Sequence, residues 1–129
     1  MLKNQMEAAR AADDKALKPF NLPREQIRSL VPSMGGCFAT DRVLVDGAKV
    51  GFMYREKPER DDDSGWVFLA GDETQEYMDE QWNSGIYAVN TICNYDPEII
   101  PFINEVPPCA FERNIQTGAF ERVEPPDRG

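Results

Sequence analysis

The alternation of apolar and polar residues is clearest in the middle third of the chain, where it predicts β-structure. Residues 37–54 contain two runs rich in β-branched and aromatic side chains, with Asp46-Gly47 between them. Because Asp-Gly favours a two-residue turn, the sequence predicts a hairpin that pairs Val43 with Val50. One face of this hairpin is expected to be apolar and the other mostly polar.

Other apolar runs predict further strands. WVFLA at residues 66–70 places apolar side chains on both faces, which is typical of a strand in the middle of a sheet. Residues 56–65 before it are polar and charged, and they predict a loop that is long for a compact domain. IYAV at residues 86–89 predicts a short strand. Two copies of Ala-Phe-Glu-Arg, at residues 110–113 and 119–122, flank a turn-forming segment and predict a final hairpin.

Apolar residues at helical spacing predict short helices before and between the strands. Residues 1–19 show a weakly amphipathic stripe, and residues 21–32 combine a capping asparagine, a first-turn proline and an apolar face. Asp72 and Gln75 have the spacing of a capping box, so a helix is expected to begin at Asp72. Asp96-Pro97-Glu98 predicts the start of another brief helix.

These elements predict one α+β domain in which short helices pack on a mainly antiparallel sheet. The chain has 129 residues, which is the length of one domain with a core of ordinary size. We expect an N-terminal helical segment at residues 1–35, the α+β domain at residues 36–124 and a frayed tail at residues 125–129.

The charge of the chain narrows the classes of partner. Asp and Glu total 23 against 14 Lys and Arg, so the net charge is -9. A surface this acidic repels nucleic acid and anionic membranes, and it attracts basic proteins. The sequence shows neither the apolar core of a signal peptide nor a membrane-spanning run. We therefore expect a soluble, cytoplasmic protein that binds neither nucleic acid nor membrane.

The residue types disfavour several kinds of catalytic and metal site. Histidine is absent, which removes the commonest general base and the commonest zinc ligand. Cys37, Cys93 and Cys109 are widely separated, so they predict buried free thiols rather than disulfides or a zinc site. Without histidine to activate these thiols, no catalytic nucleophile is indicated. We expect no cofactor and no catalytic residue.

The acidic stretch from residue 61 to residue 73 resembles part of a calcium-binding loop. An EF-hand loop that began at Asp61 would need glycine at its sixth position and glutamate at its twelfth. Those positions hold Trp66 and Asp72, so the motif is incomplete and no metal site is predicted.

Acidic residues around strand 66–70 form the strongest candidate for a binding surface. They would attract a basic protein over long range, and the neighbouring tryptophans could anchor it. The predicted partner-binding residues are Asp61, Asp62, Asp63, Trp66, Glu73, Glu76, Asp79, Glu80 and Trp82. The structural alternative is a solvated helix face above buried tryptophans, and Asp72 already has a capping role in it.

Several motifs together resemble one bacterial protein family. They are VDGAKVGFMYRE at residues 45–56, DSGW at 63–66, GDE at 71–73 and NYDPEIIP at 94–101. Across residues 37–123 the chain resembles the family named domain of unknown function 2185, which is grouped with the immunity proteins of polymorphic toxin systems. The resemblance implies a non-enzymatic protein that binds and neutralises a cognate toxin inside the cell that makes it. It assigns no ligand-binding or catalytic residue.

Two other function classes remain open from the sequence. One is a small-molecule-binding or regulatory domain with a pocket lined by Trp66, Tyr87 and Tyr95. The other is a hydrolase that uses paired carboxylates. A deep apolar pocket would favour the first and paired carboxylates in a cleft the second, whereas a shallow acidic face would favour protein binding.

Overall fold

The computed structural model describes residues 18–126, which form a single sheet with short helices. The strands are β1 (Gly36–Thr40), β2 (Phe52–Arg55), β3 (Asp63–Leu69), β4 (Ser84–Ala88), β5 (Cys109–Arg113) and β6 (Phe120–Val123). The helices of these residues are α1 (Asp41–Leu44), α2 (Gln75–Asp79) and α3 (Val89–Tyr95), with 3₁₀ turns at Arg24–Gln26, Gln81–Asn83 and Pro97–Phe102. None of these helices has the length and apolar character that a membrane crossing requires.

The strand order is β4-β1-β3-β2-β5-β6, and five neighbouring pairs hold the sheet together. The pair β1–β3 is parallel and the other four pairs are antiparallel. This arrangement confirms the predicted α+β fold with a mainly antiparallel sheet. It also confirms an interior position for the strand predicted at residues 66–70, which is β3. The repeated Ala-Phe-Glu-Arg segments form the β5–β6 hairpin, as predicted, with Phe111 opposite Arg122.

The core lies between one face of the sheet and the helices. Trp66 and Phe68 of β3 point into it and are 1% and 0% exposed. Helix α3 covers this face with buried apolar residues, among them Ile92, and α1 adds Val43 and Leu44. Burying a side chain of the size of Phe68 stabilises the fold by about 2–3 kcal/mol. The three cysteines are free thiols inside this core, which confirms their predicted burial.

The predicted hairpin across Asp46-Gly47 is wrong. Residues Asp41–Leu44 form α1, and Gly47 lies in the turn after it with a φ of +76°. Val43 is 0% exposed in this helix, so packing against the core outweighs the strand propensity of a β-branched residue. The N–H of Val50 donates to a carboxylate oxygen of Asp96 at 3.0 Å instead of pairing with a strand.

The helix predicted over residues 21–32 is also wrong. Within it only Arg24–Gln26 is helical, as a single 3₁₀ turn. The next segment has no regular secondary structure, and asparagines of α3 satisfy its backbone instead of helical hydrogen bonds. Asn94 accepts from the N–H of Arg28 at 2.9 Å, and Asn90 accepts from the N–H of Leu30 at 2.7 Å. The helix predicted at residues 1–19 lies almost entirely outside the described residues.

The two predicted helix starts have different outcomes. Thr74, rather than Asp72, caps α2, because its hydroxyl accepts from the N–H of Tyr77 at 3.1 Å. Asp96 does begin the next turn as predicted, since its carboxylate accepts from the N–H of Glu98 at 3.1 Å. An acidic residue near the expected boundary is therefore a weaker signal than the Asp-Pro-Glu combination.

Candidate functional site

The face of the sheet opposite the core is partly open. Strand alternation places every second side chain on this face. Phe38, Val67 and Tyr54 are neighbours across β1, β3 and β2, and all three are half-buried. The rings of Phe52 and Tyr54 lie 5.8 Å apart on the same strand. This face is therefore an apolar surface that the helices leave in contact with solvent.

A cleft of about 710 Å³ lies on this open face. Its floor includes Phe38, Val67 and Ile86, and Met78 of α2 borders it. Ile86 is 66% exposed, although it is a large apolar residue. The border of the cleft also contains Glu56, Lys57, Glu59, Arg60, Asp62 and Asp63. We call this region, with its apolar floor and charged border, the sheet cleft.

The D-S-G-W motif fixes the charged border to the sheet. A carboxylate oxygen of Asp63 accepts from the N–H of Gly65 at 2.9 Å, and the hydroxyl of Ser64 donates to the carbonyl of Gly36 at 2.7 Å. Gly65 has a φ of +84°, and a Cβ atom there would lie 2.0 Å from the carbonyl oxygen of Glu56. Only glycine permits this close approach. The motif therefore has a structural explanation in its first three residues.

Trp66, the last residue of that motif, lies beneath the sheet cleft. Its side chain is in the core, stacked on Phe68 with ring centroids 5.5 Å apart. Its indole N–H donates to the carbonyl of Ile103 at 2.9 Å. The sequence predicts Trp66 on the partner-binding surface, whereas its side chain is buried in the core, where it supports β3 from the inside.

Glu73, in the G-D-E motif, is committed to the backbone around it. Its carboxylate accepts from the N–H groups of Ala70 and Gly71 at 2.8 and 2.9 Å, and from the hydroxyl of Thr40. The preceding Asp72 forms an exposed ion pair with Arg42 at 2.7 Å. Hydrogen bonding to that guanidinium lowers the pKa of Asp72 below its usual range. Both acids therefore join β3 to neighbouring elements.

Six of the seven remaining predicted partner-binding residues are exposed, and Asp63 is half-buried. The exposed residues are Asp61, Asp62, Glu76, Asp79, Glu80 and Trp82. Trp82 is 45% exposed, and the Nζ of Lys18 lies 4.7 Å from the centroid of its ring. That lysine is buried and pairs with Asp41 at 3.0 Å. The structure thus brings Asp62 and Asp63 to the lining of the sheet cleft. Helix α2 contributes Met78 to that lining, and its acids Glu76 and Asp79 lie outside it.

The three aromatic residues of the alternative pocket do not surround one cavity. Tyr87 contacts Phe20 edge to face, with ring centroids 6.0 Å apart. The hydroxyl of Tyr95 accepts from the N–H of Leu22 at 3.0 Å. Neither tyrosine lines the sheet cleft, and Trp66 is covered from solvent. The two tyrosines instead hold the segment around residues 20–22 against the domain.

Comparison with known proteins identifies the family. Residues 37–124 match the family model described as Immunity protein Imm33 domain, which is more than half of the 129-residue chain. The chain belongs to the Imm33 family. The match confirms the immunity-protein grouping, but it does not confirm the designation as domain of unknown function 2185. None of the curated proteins and none of the solved structures matches the chain.

Charge is unevenly distributed along this Imm33 domain, a signal that the predictions from sequence missed. Residues 61–112 contain 12 acidic residues and no lysine or arginine. This stretch supplies β3, α2 and β4, which contribute Val67, Met78 and Ile86 to the sheet cleft. Among residues 18–126, no group of three or more Cys, Asp or Glu side chains is placed to hold a metal ion. This run without cations is visible in the sequence, and it includes Asp62 and Asp63 of the cleft border.

Proposed function

We propose that this Imm33 protein is a non-enzymatic immunity protein that binds a cognate toxin and blocks its activity. The family match over residues 37–124 carries the proposal. That range contains all six strands apart from the first residue of β1, and therefore the whole apolar floor of the sheet cleft. Neutralisation needs only a stable complex that covers or distorts the toxin's active surface.

The shape and chemistry of the sheet cleft support binding of a protein. It is open to solvent, with an apolar floor at Val67 and Ile86 and a charged border. Protein interfaces commonly combine an apolar centre with a polar rim, whereas small-molecule sites bury most of their ligand in an enclosed pocket. The open cleft fits the first description better than the second.

The proposal includes a cytoplasmic site of action. The protein has three free thiols within the core, at Cys37, Cys93 and Cys109. Free cysteines are typical of a reducing compartment, where a toxin meets its inhibitor before export. The thiols support this location.

Co-expression with a toxin tests the proposed function. The probe is the protein encoded in the reading frame beside this gene, which the proposal predicts to be a toxin. We expect its expression alone to stop growth, and co-expression of this chain to restore growth and yield a complex that co-purifies. An unrelated toxin of similar potency is the control. Failure to rescue, or equal rescue from both toxins, would reject a cognate immunity function.

A further inference from the structure

We propose that the sheet cleft receives a basic protrusion of the toxin that carries an exposed apolar side chain. This inference rests on the proposed function and adds the surface and the chemistry of the partner. The apolar side chain would rest on the floor of the cleft, and Lys or Arg side chains beside it would pair with acids along the border.

The floor of the cleft favours an apolar contact. Ile86 is 66% exposed, and Phe38 and Val67 beside it are half-buried. Covering apolar surface contributes roughly 25 cal/mol per Å² removed from water. Ile86 pairs with Phe38 across β4 and β1, so these side chains form one continuous patch rather than scattered contacts. Such a patch is typical of an interaction site.

The border of the cleft favours cations from the partner. Four acids and two bases line it, and one of its ion pairs is weak. Arg60 and Asp62 are 3.5 Å apart, and both side chains are 79% exposed. Exposed pairs contribute little to stability, so a partner's cation can replace Arg60 at small cost. The next stretch, residues 61–112, supplies no competing cation. The border therefore complements a basic surface.

Hydrogen bonds to the sheet hold the border in place before any partner binds. The N–H of Gly36 donates to the carbonyl of Asp62 at 2.8 Å, and the N–H of Glu56 donates to the carbonyl of Gly65 at 3.0 Å. The N–H of Asp63 closes a turn by donating to Arg60. A preformed border loses little conformational entropy on binding, which strengthens the complex.

Calorimetry with the full chain and the toxin of the co-expression experiment tests this surface. Ile86→Glu places a charge on the floor, and we expect about a tenfold or larger increase in Kd. The control is Val106→Glu, because Val106 is 78% exposed and lies outside the cleft. We expect its Kd to stay within about threefold of the unaltered value.

The second variant reverses charge on the border. Glu59→Lys with Asp62→Lys should raise Kd about tenfold or more and reduce its dependence on salt. Its matched control is Glu25→Lys with Glu124→Lys, which makes the same change in net charge at exposed positions outside the cleft. Unfolding in urea verifies that each variant folds.

The outcomes separate this inference from the proposed function. If the unaltered chain binds and protects, but both cleft variants bind equally well, the cleft assignment is wrong and the immunity function stands. If the unaltered chain does not bind, both are wrong. Sedimentation of the chain alone adds a third outcome: a dimer that Ile86→Glu dissociates would assign this face to a second copy and overturn the inference.

Discussion

Phe68 and Val67 are neighbours on β3, and they lie on opposite faces of the sheet. Phe68 is 0% exposed among the residues of the core, whereas Val67 is half-buried on the floor of the sheet cleft. Helices α1 and α3 cover the first of these faces, whereas α2 borders the cleft on the second. One strand therefore serves two purposes: alternate residues stabilise the fold, and the residues between them remain available for a partner.

The largest expected effect comes from truncating these two neighbours in turn. Phe68→Ala should lower the free energy of unfolding by about 3–5 kcal/mol, because it leaves a cavity in a closely packed core. Val67→Ala should cost about 1 kcal/mol or less, since solvent already reaches its side chain. Unfolding in urea gives both values. Equal losses would mean that the open face is as important for stability as the core.

Ion pairs should show the same difference between buried and exposed positions. Asp96 has a fully buried side chain, which accepts from the N–H of Val50 and pairs with Arg113 at 2.7 Å. Asp96→Asn should lower the free energy of unfolding by about 3 kcal/mol, because it leaves polar groups of the interior poorly paired. Asp72→Asn, at the exposed pair with Arg42, should be indistinguishable from the unaltered chain in the same urea experiment. A large loss at Asp72 would contradict this division.

The sequence predicts the parts of the fold that depend on local signals. The apolar run at residues 66–70, the repeated Ala-Phe-Glu-Arg and the Asp-Pro-Glu start at Asp96 all specify structure within a few residues, and the structure confirms each one. The hairpin at Asp46-Gly47 fails because β1 pairs with β3 and β4 instead of β2. That choice depends on contacts between residues far apart in sequence, which a local turn signal does not contain.

In the candidate site, too, some properties follow from the local sequence and others depend on residues far away in the chain. Exposure of the acids in α2 follows from their pattern, but the burial of Trp66 depends on Ile103, which is 37 residues away. Glu73 is an acidic residue in an acidic stretch, which is why the sequence predicts a binding role for it. Its carboxylate instead accepts hydrogen bonds from the backbone, so its role is structural. The missed helix at residues 21–32 has a similar cause, since Asn90 and Asn94 supply its backbone partners from α3. Long-range partners of polar groups are what the sequence leaves open.

Alkaline pH should lower the free energy of unfolding by a smaller amount than the substitutions at Phe68 and Asp96. Burial raises the pKa of Cys93 to about 11 and that of Tyr87 to about 12. Between pH 9 and pH 11 the folded chain keeps protons that the unfolded chain releases. The free energy of unfolding therefore has its full value below pH 9 and decreases as the pH rises through 11. We expect Cys93 to account for a loss of about 1–2 kcal/mol between pH 8 and pH 10.5.

Urea unfolding at the two pH values measures this loss. Cys93→Ala serves as the control: it should lower stability at pH 8, because it removes a buried side chain, but reduce the additional loss at pH 10.5. A variant that loses as much stability between the two pH values as the unaltered chain would show that the thiol at Cys93 is not the responding group.

The smallest effect is expected on the open face, at Ile86. Ile86→Thr keeps a β-branched side chain in β4 and removes apolar surface that solvent already reaches, so unfolding should change by less than about 0.5 kcal/mol. Ile92→Thr, the same replacement at a residue that is 0% exposed in α3, is the matched control and should cost several times more. A loss above about 1 kcal/mol at Ile86 would mean that this side chain stabilises the fold. The open face would then be needed for stability, which would contradict the inference that its residues are available for a partner.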